Sequence, residues 1–197
     1  MISPLSLSQF EIVKKVGQGG FGKVFEVKDK NSGQIFAAKV ALFSLESESK
    51  DTIRNLAREV NIISKLNHPS IVKFIGYSPL NFKGKPNPVI MTEFLTNGSL
   101  GDILNLERKG LCDLGWNETR KIINIFGIAT AMSYLHSNNI IHRDLKPENI
   151  LMDEYLLPRL TDFGLSKVKH TNDESMSLQS TATLKGTPMY IAPEIWG

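Results

Sequence analysis

Cysteine is almost missing from this sequence: among 197 residues only Cys112 carries a thiol. One thiol excludes an internal disulfide and a cysteine-based zinc site within the chain, and it accords with a reducing compartment. Charge of one sign is also scarce, with 23 Lys and Arg against 20 Asp and Glu, a net of +3. So small an excess argues against nucleic acid or a membrane surface as a partner. No apolar run approaches the length of a membrane span. The opening Met1-Ile2-Ser3-Pro4-Leu5-Ser6-Leu7 has neither the basic start nor the apolar segment of a signal peptide. Ile2 stands where myristoylation needs glycine. The expectation is a cytoplasmic protein, with the nucleus as the alternative.

What is present suits a globular chain: 41% hydrophobic and 22% charged residues, long enough for one large domain or two smaller lobes. The first 45 residues read as strands. Phe10 to Val16 and Gly22 to Lys28 flank a glycine-rich turn, Asn31-Ser32-Gly33 turns again, and Gln34 to Leu42 follows with Ile35, Ala37, Lys39 and Ala41 on one face. From Asp51 to Leu66 the period becomes helical, with Leu56, Glu59, Ile63 and Leu66 on one stripe before His68-Pro69. Ile71 to Gly76 and Val89 to Phe94 are further strands, joined by an exposed connection from Asn81 to Pro88. After Asn97-Gly98-Ser99 the chain turns helical, including a long amphipathic helix carrying Ile122, Ile125, Phe126, Ala129, Met132 and Leu135. Strands followed by helices give an α+β layout with a lobe boundary near Leu95 to Ser99. The polar stretch Ser166 to Lys185 reads as a long loop.

Four motifs carry chemistry. Gly17-Gln18-Gly19-Gly20-Phe21-Gly22-Lys23-Val24 would let the backbone approach phosphate oxygens with no Cβ in the way. An unliganded hairpin would look similar, but the strand-turn-strand setting argues against a dinucleotide site, and no Gly-Lys-Ser/Thr follows. Lys39 is a surface lysine in the plain reading. Glu59, on an apolar stripe where a lone carboxylate is costly, offers it a partner. In His142-Arg143-Asp144-Leu145-Lys146-Pro147-Glu148-Asn149, Asp144 could accept or orient the proton of an attacking hydroxyl and Lys146 could neutralise phosphoryl charge. His142 reads as a packing residue. Asp162-Phe163-Gly164 begins eighteen residues after Asp144, and Asp162 with Asn149 offers hard oxygen ligands for magnesium. A base, a phosphate contact and two metal ligands are what phosphoryl transfer requires, since it depends on positioning and charge stabilisation.

With these motifs in order, the chain from Phe10 onward resembles the eukaryotic protein kinases, serine/threonine type. The resemblance implies a bilobal α+β fold, with residues 1–9 as an N-terminal tail, a small β-rich lobe over about 10–95 and an incomplete helical lobe over about 96–197. It implies ATP and Mg2+ as cofactors and protein substrates bearing Ser or Thr. Nucleotide contacts would come from Val16, Gly17, Gly19, Gly20, Gly22, Val24, Ala37, Lys39, Glu59, Thr92, Glu93, Leu95 and Leu151. Asp144, Lys146 and Asn149 would be catalytic, and Asn149 and Asp162 would hold the metal. Val24, Ala37 and Leu151 match positions that sandwich adenine; Ile63, His142 and Phe163 match an apolar column joining the lobes.

Lys146 and Gly186-Thr187-Pro188 resemble serine/threonine kinases, whereas Met91-Thr92-Glu93-Phe94 is similar to tyrosine kinases, which points to the tyrosine kinase-like group. Arg143 could clasp a phosphate on Thr183, and Thr187 would bridge Asp144 and Lys146. The family continues with further helices beyond Ala192-Pro193-Glu194. The sequence ends at Gly197, so the expectation is a shortened helical lobe with apolar surface on the helix Glu118 to His136. A partner chain or further C-terminal segment would cover it, and a nucleotide-binding or scaffold fragment is the alternative to an active enzyme.

Overall fold

A computed structural model of the chain describes residues 3–19, 22–112, 115–168 and 187–191. Contacts divide the chain into two compact units, Met1–Asn67 with Lys73–Leu95, and His68–Val72 with Thr96–Gly197.

The first unit is a five-stranded antiparallel sheet with one helix. Strands β1 (Phe10–Gly19), β2 (Gly22–Asp29), β3 (Ile35–Ala41), β4 (Phe74–Ser78) and β5 (Val89–Glu93) lie in the order β1-β2-β3-β5-β4. Side chains alternate across the sheet. Val27, Phe36, Ala38, Val89 and Met91 join Phe10 in the buried core on one side. The register pairs Val24 with Lys39 and Ala37 with Thr92, so these four share the opposite face.

Helix α1 (Lys50–Ile63) starts at Ser49, whose hydroxyl accepts from Thr52 N–H at 3.2 Å. It ends three residues before the expected Leu66. There the bonds tighten to Lys65 N–H on Ile62 O and Leu66 N–H on Ile63 O, a 3-10 closure ahead of His68-Pro69.

Ile71 to Gly76 is divided between the two units and is not one strand. Strand β4 begins only at Phe74. Ile71 and Val72 belong to the second unit, where Ile71 bridges Leu160 and Val72 N–H donates to Leu160 O at 3.0 Å. Apolar residues at 71 and 72 fit a strand, but their pattern does not say which partner they pair with. The Asn81–Pro88 connection is also less open than expected. Asn81 Oδ1 accepts from the Lys83 and Lys85 amides, Asn87 Nδ2 donates to Phe43 O, and Pro88 is buried.

In the second unit, α2 (Leu100–Arg108) opens on a reciprocal cap between Ser99 and Asp102. Helix α3 (Glu118–Ser137) is capped by Asn117 and packs against β8 (Pro158–Leu160). Short pairs β6 (Ile140–Ile141) with β9 (Lys167–Val168) and β7 (Ile150–Met152) with β8 frame the loop between them.

The packed face of α3 keeps only part of the predicted stripe, Leu135 with half-buried Met132. Asn124, Ala131 and Leu135 are buried, whereas Ile122, Ile125 and Phe126 are 66%, 68% and 70% exposed. Periodicity identifies an apolar face without saying what lies against it. Among the described residues no helix is long and apolar enough to cross a membrane.

Candidate active site

In the first unit, β3 presents Lys39 towards α1. Its Nζ lies 3.1 Å from Glu59 Oε1, with side chains 27% and 13% exposed. Such a pair is costly to break because the carboxylate has little water to fall back on. Val24 and Ala37 are half-buried beside it, and Thr92 Oγ1 donates to Glu93 O at 3.2 Å. Glu93 is tied to Lys73, just ahead of the neighbouring strand. Its backbone N–H is committed to Lys73 O at 3.0 Å, and Lys73 N–H returns to its carboxylate at 2.8 Å. Leu95 is the other backbone position expected to reach adenine.

The glycines separate into two kinds. A Cβ on Gly17 or Gly19 would meet nothing, which leaves space above the backbone for a ligand. At Gly22 it would lie 2.7 Å from Val40 O, so the neighbouring strand itself requires glycine there. Gly22 thus has a packing reason of its own beside the approach to phosphate expected from the sequence. Val16 is largely exposed on β1. Gly20, Thr183 and the Ala192-Pro193-Glu194 motif lie outside the described residues.

In the second unit, Asp144 is the hub of a closed network. Its Oδ1 accepts from Thr187 N–H at 3.1 Å and Thr187 Oγ1 at 3.0 Å. Its Oδ2 accepts from Asn149 Nδ2 at 2.9 Å and Lys146 Nζ at 3.0 Å. Lys146 Nζ also reaches Thr187 Oγ1 at 2.7 Å, and Asn149 Nδ2 also donates to Asp144 O at 2.8 Å. Burial pushes the Asp144 carboxyl up, but hydrogen bonds from Lys146, Thr187 and Asn149 outweigh it and hold the carboxyl below its ordinary value. A carboxylate so well supplied with donors is ionised at neutral pH and suits orienting a hydroxyl.

Asp162 reaches the same region through the hairpin. Strands β7 and β8 pair Ile150 with Leu160, and Thr161 N–H donates to Asn149 O at 2.9 Å, which sets Asp162 one residue from Asn149's partner. Asp162 and Arg143 both hold left-handed backbone, at φ 63° and 65°. That conformation costs an L-residue roughly 1–2 kcal/mol and persists where the surroundings enforce it. Arg143 Nε donates to Leu165 O at 2.6 Å. His142 is fully buried, within 3.0 Å of Thr161 O through Nε2 and edge-on to Phe163 at 5.2 Å between ring centres. Leu151 is half-buried in β7.

Two supporting residues went unnoticed in the sequence. Asp153 is buried, accepts from the Tyr155 and Leu157 amides and meets Arg159 at 3.3 Å, closing the β7–β8 turn. An aspartate two residues before a tight turn was the available signal. Ser166 is buried and its hydroxyl donates to His142 O at 3.3 Å; nothing in the polar stretch around it marked it out.

The donors fit a phosphate-borne metal. Asn149 commits its Nδ2 to Asp144, so its Oδ1 would be the atom to meet a cation, and Asp162 would supply a carboxylate. The described residues hold no cluster of three or more His, Cys, Asp or Glu able to cage an ion. Two oxygen side chains suit magnesium that draws its remaining ligands from phosphates and water.

Comparison with known proteins agrees. The family described as protein kinase domain matches residues 10–197. An Aurora kinase of Saccharomyces cerevisiae is 36% identical over 191 residues, covering 97% of this chain and 47% of that protein. The serine/threonine-protein kinase AtPK2/AtPK19 of Arabidopsis thaliana is 38% identical over 191 residues, covering 97% and 37%. The serine/threonine-protein kinase fused of Drosophila melanogaster is 32% identical over 190 residues, covering 96% and 21%. The chain spans less than half the length of these relatives. The match over 10–197 takes in the glycine-rich hairpin, the Lys39–Glu59 pair, the Asp144 network and Asp162, and by it this chain belongs to the protein kinase domain family.

Proposed function

We propose that the protein transfers the γ-phosphate of ATP to serine and threonine hydroxyls of protein substrates. The observation that carries this reading is the Asp144 network, in which one ionised carboxylate is fixed by Lys146, Asn149 and Thr187. Asp144 orients the attacking hydroxyl and takes its proton as the new O–P bond forms and the bond from the γ-phosphorus to the bridging oxygen breaks, releasing ADP. Lys146 stabilises charge on the transferring group. Lys39, steadied by Glu59, neutralises the nucleotide's phosphates, while Gly17 and Gly19 leave room for them. Asn149 and Asp162 would hold magnesium, which would supply positive charge against the phosphates. Val24, Ala37, Thr92, Leu95 and Leu151 would line the adenine site.

The preference for serine and threonine rests on Lys146 reaching Thr187, together with relatives named as serine/threonine kinases. Membership of the tyrosine kinase-like group is the finer reading, drawn from Met91-Thr92-Glu93-Phe94. Arg143 would receive a phosphate placed on Thr183.

The test compares the wild-type chain with Asp144→Asn, using Mg-ATP and a generic protein substrate, and follows the melting temperature with nucleotide. Transfer by the wild type, abolished in the variant while the nucleotide-dependent rise persists, is the expected result. Equal transfer by both would remove Asp144 from its role. A melting temperature indifferent to Mg-ATP, with no transfer, would overturn the reading.

A further inference from the structure

The stretch that matches the family begins at residue 10, yet the segment before it is built into the first unit. Leu5 N–H donates to Tyr77 O at 2.6 Å, extending the sheet past its edge strand β4. The Leu5 side chain lies on Gly76. A Cβ there would fall 2.9 Å from Leu5 Cδ2 and 3.0 Å from Leu5 Cβ, so any larger residue would push Leu5 aside. Leu5 and Leu7 pack against the buried core cluster of this sheet, which includes Phe36, Ala38 and Met91. The far end is fastened by Lys30, whose Nζ reaches Ser8 O at 2.6 Å and whose N–H donates to Gln9 O at 2.9 Å.

The seat of this contact is a bulge. Phe74 pairs with Thr92 and Gly76 pairs with Met91, leaving Ile75 as the extra residue. A bulge re-aims the side chains beside it, and on an edge strand only one flank is held by the sheet. Here Leu5 holds the other flank. Thr92 sits opposite the bulge on one side and opposite Ala37 on the other, on the face that carries Lys39.

We propose that Pro4–Ser8 is a strap that positions the adenine end of the nucleotide site, with Leu5 on Gly76 fixing the β4 bulge and hence Thr92. Leu5 is a positioning residue and touches no nucleotide. The inference rests on the nucleotide-binding reading above and adds to it an element outside the family match.

The test uses the full chain and five variants: Leu5→Ala, Leu5→Met, Gly76→Ala, the combination of Leu5→Ala with Gly76→Ala, and Ser6→Ala as an exposed control on the same segment. Kd for ATP and for adenosine is measured well below the melting temperature of the weakest variant. Leu5→Ala is expected to raise both values by the same factor, about three- to tenfold, because the strap acts at the base and not at the phosphates. Leu5→Met restores the wild-type values and Ser6→Ala leaves them unchanged. In melting, Gly76→Ala lowers stability by displacing Leu5, and the double variant loses less than the two single losses added together. Should Leu5→Ala not fold, Leu5→Val gives the same comparison with a smaller shift. A lowered melting temperature with unchanged Kd would overturn the strap's positioning role, as would additive losses. A wild type with no affinity for adenosine would overturn the nucleotide reading and the strap with it, whereas a binder indifferent to Leu5 sinks the strap alone.

Discussion

Replacing Thr187 by valine tests the Asp144 network most sharply. The change keeps the backbone N–H on Asp144 Oδ1 and removes the hydroxyl, which donates to that oxygen at 3.0 Å and accepts from Lys146 at 2.7 Å. Lys146 is 22% exposed and keeps Asp144 Oδ2, so water can replace its lost partner. Asp144, at 10% exposure, has less recourse to water. A hydrogen bond to a charged group contributes about 1.5–3 kcal/mol, and the lower end applies where another donor remains. The expected loss is about 1.5–2 kcal/mol, or about ten- to thirtyfold in kcat/KM if it is felt wholly in the transition state.

The variant also has a signature in pH. Thr187 is among the groups that lower the Asp144 pKa, so Thr187→Val moves that pKa upward. In the wild type the depressed value favours the fold above the ordinary carboxylate value of 3.8, an advantage lost on acidification through the folded-state pKa. The acid limb of kcat/KM should shift to higher pH, and the carboxyl 13C signal of Asp144 should titrate later as acid is added to the wild type than to the variant. An Asp144 titration identical in both proteins would refute the argument, whatever the rates do.

Other expectations follow from the same geometry. Lys39→Ala and Glu59→Gln, combined in a double-mutant cycle read by chemical denaturation, should show a coupling of about 1–2 kcal/mol, between exposed and buried pairs; additive losses would deny the pair. Gly22→Ala should destabilise the first unit by about 1–3 kcal/mol through overpacking against Val40 O, whereas Gly17→Ala should leave melting unchanged and weaken ATP binding. Burial lowers the His142 pKa, outweighing the raising effects of Thr161 O, Asp162 and Asp144, while Lys146 adds a further lowering. The unfolded chain therefore takes up that proton first as pH falls below 6.5, and stability declines there; His142→Leu should flatten that part of the stability–pH curve, measured by urea titration.

Local chemistry was the most legible part of the sequence. His142 to Asn149 is so short a segment that its spacing nearly dictates which atoms meet, and the hairpin to Asp162 adds little freedom. Lys39 and Glu59 were readable because a carboxylate on an apolar stripe demands a cation. Choices among equivalent partners were not readable. Ile71 and Val72 suit a strand beside β5 or beside β8, and only the folded chain selects the second. The reason for Gly22 could not be seen either, since a glycine needed by a neighbouring strand and one needed by a phosphate look alike in sequence. Leu5 and Leu7 alternate over too few residues to announce a strap.

The two-sided character of β3 has a genetic consequence. One codon inserted ahead of Lys39 would shift the downstream residues by one step and exchange their sides. The ammonium would then be driven among Val89 and Met91, and Val40 would be turned outwards. Length is accordingly under tighter constraint in this strand than identity at most of its positions, and small deletions or duplications there should be found only in copies that have lost their activity.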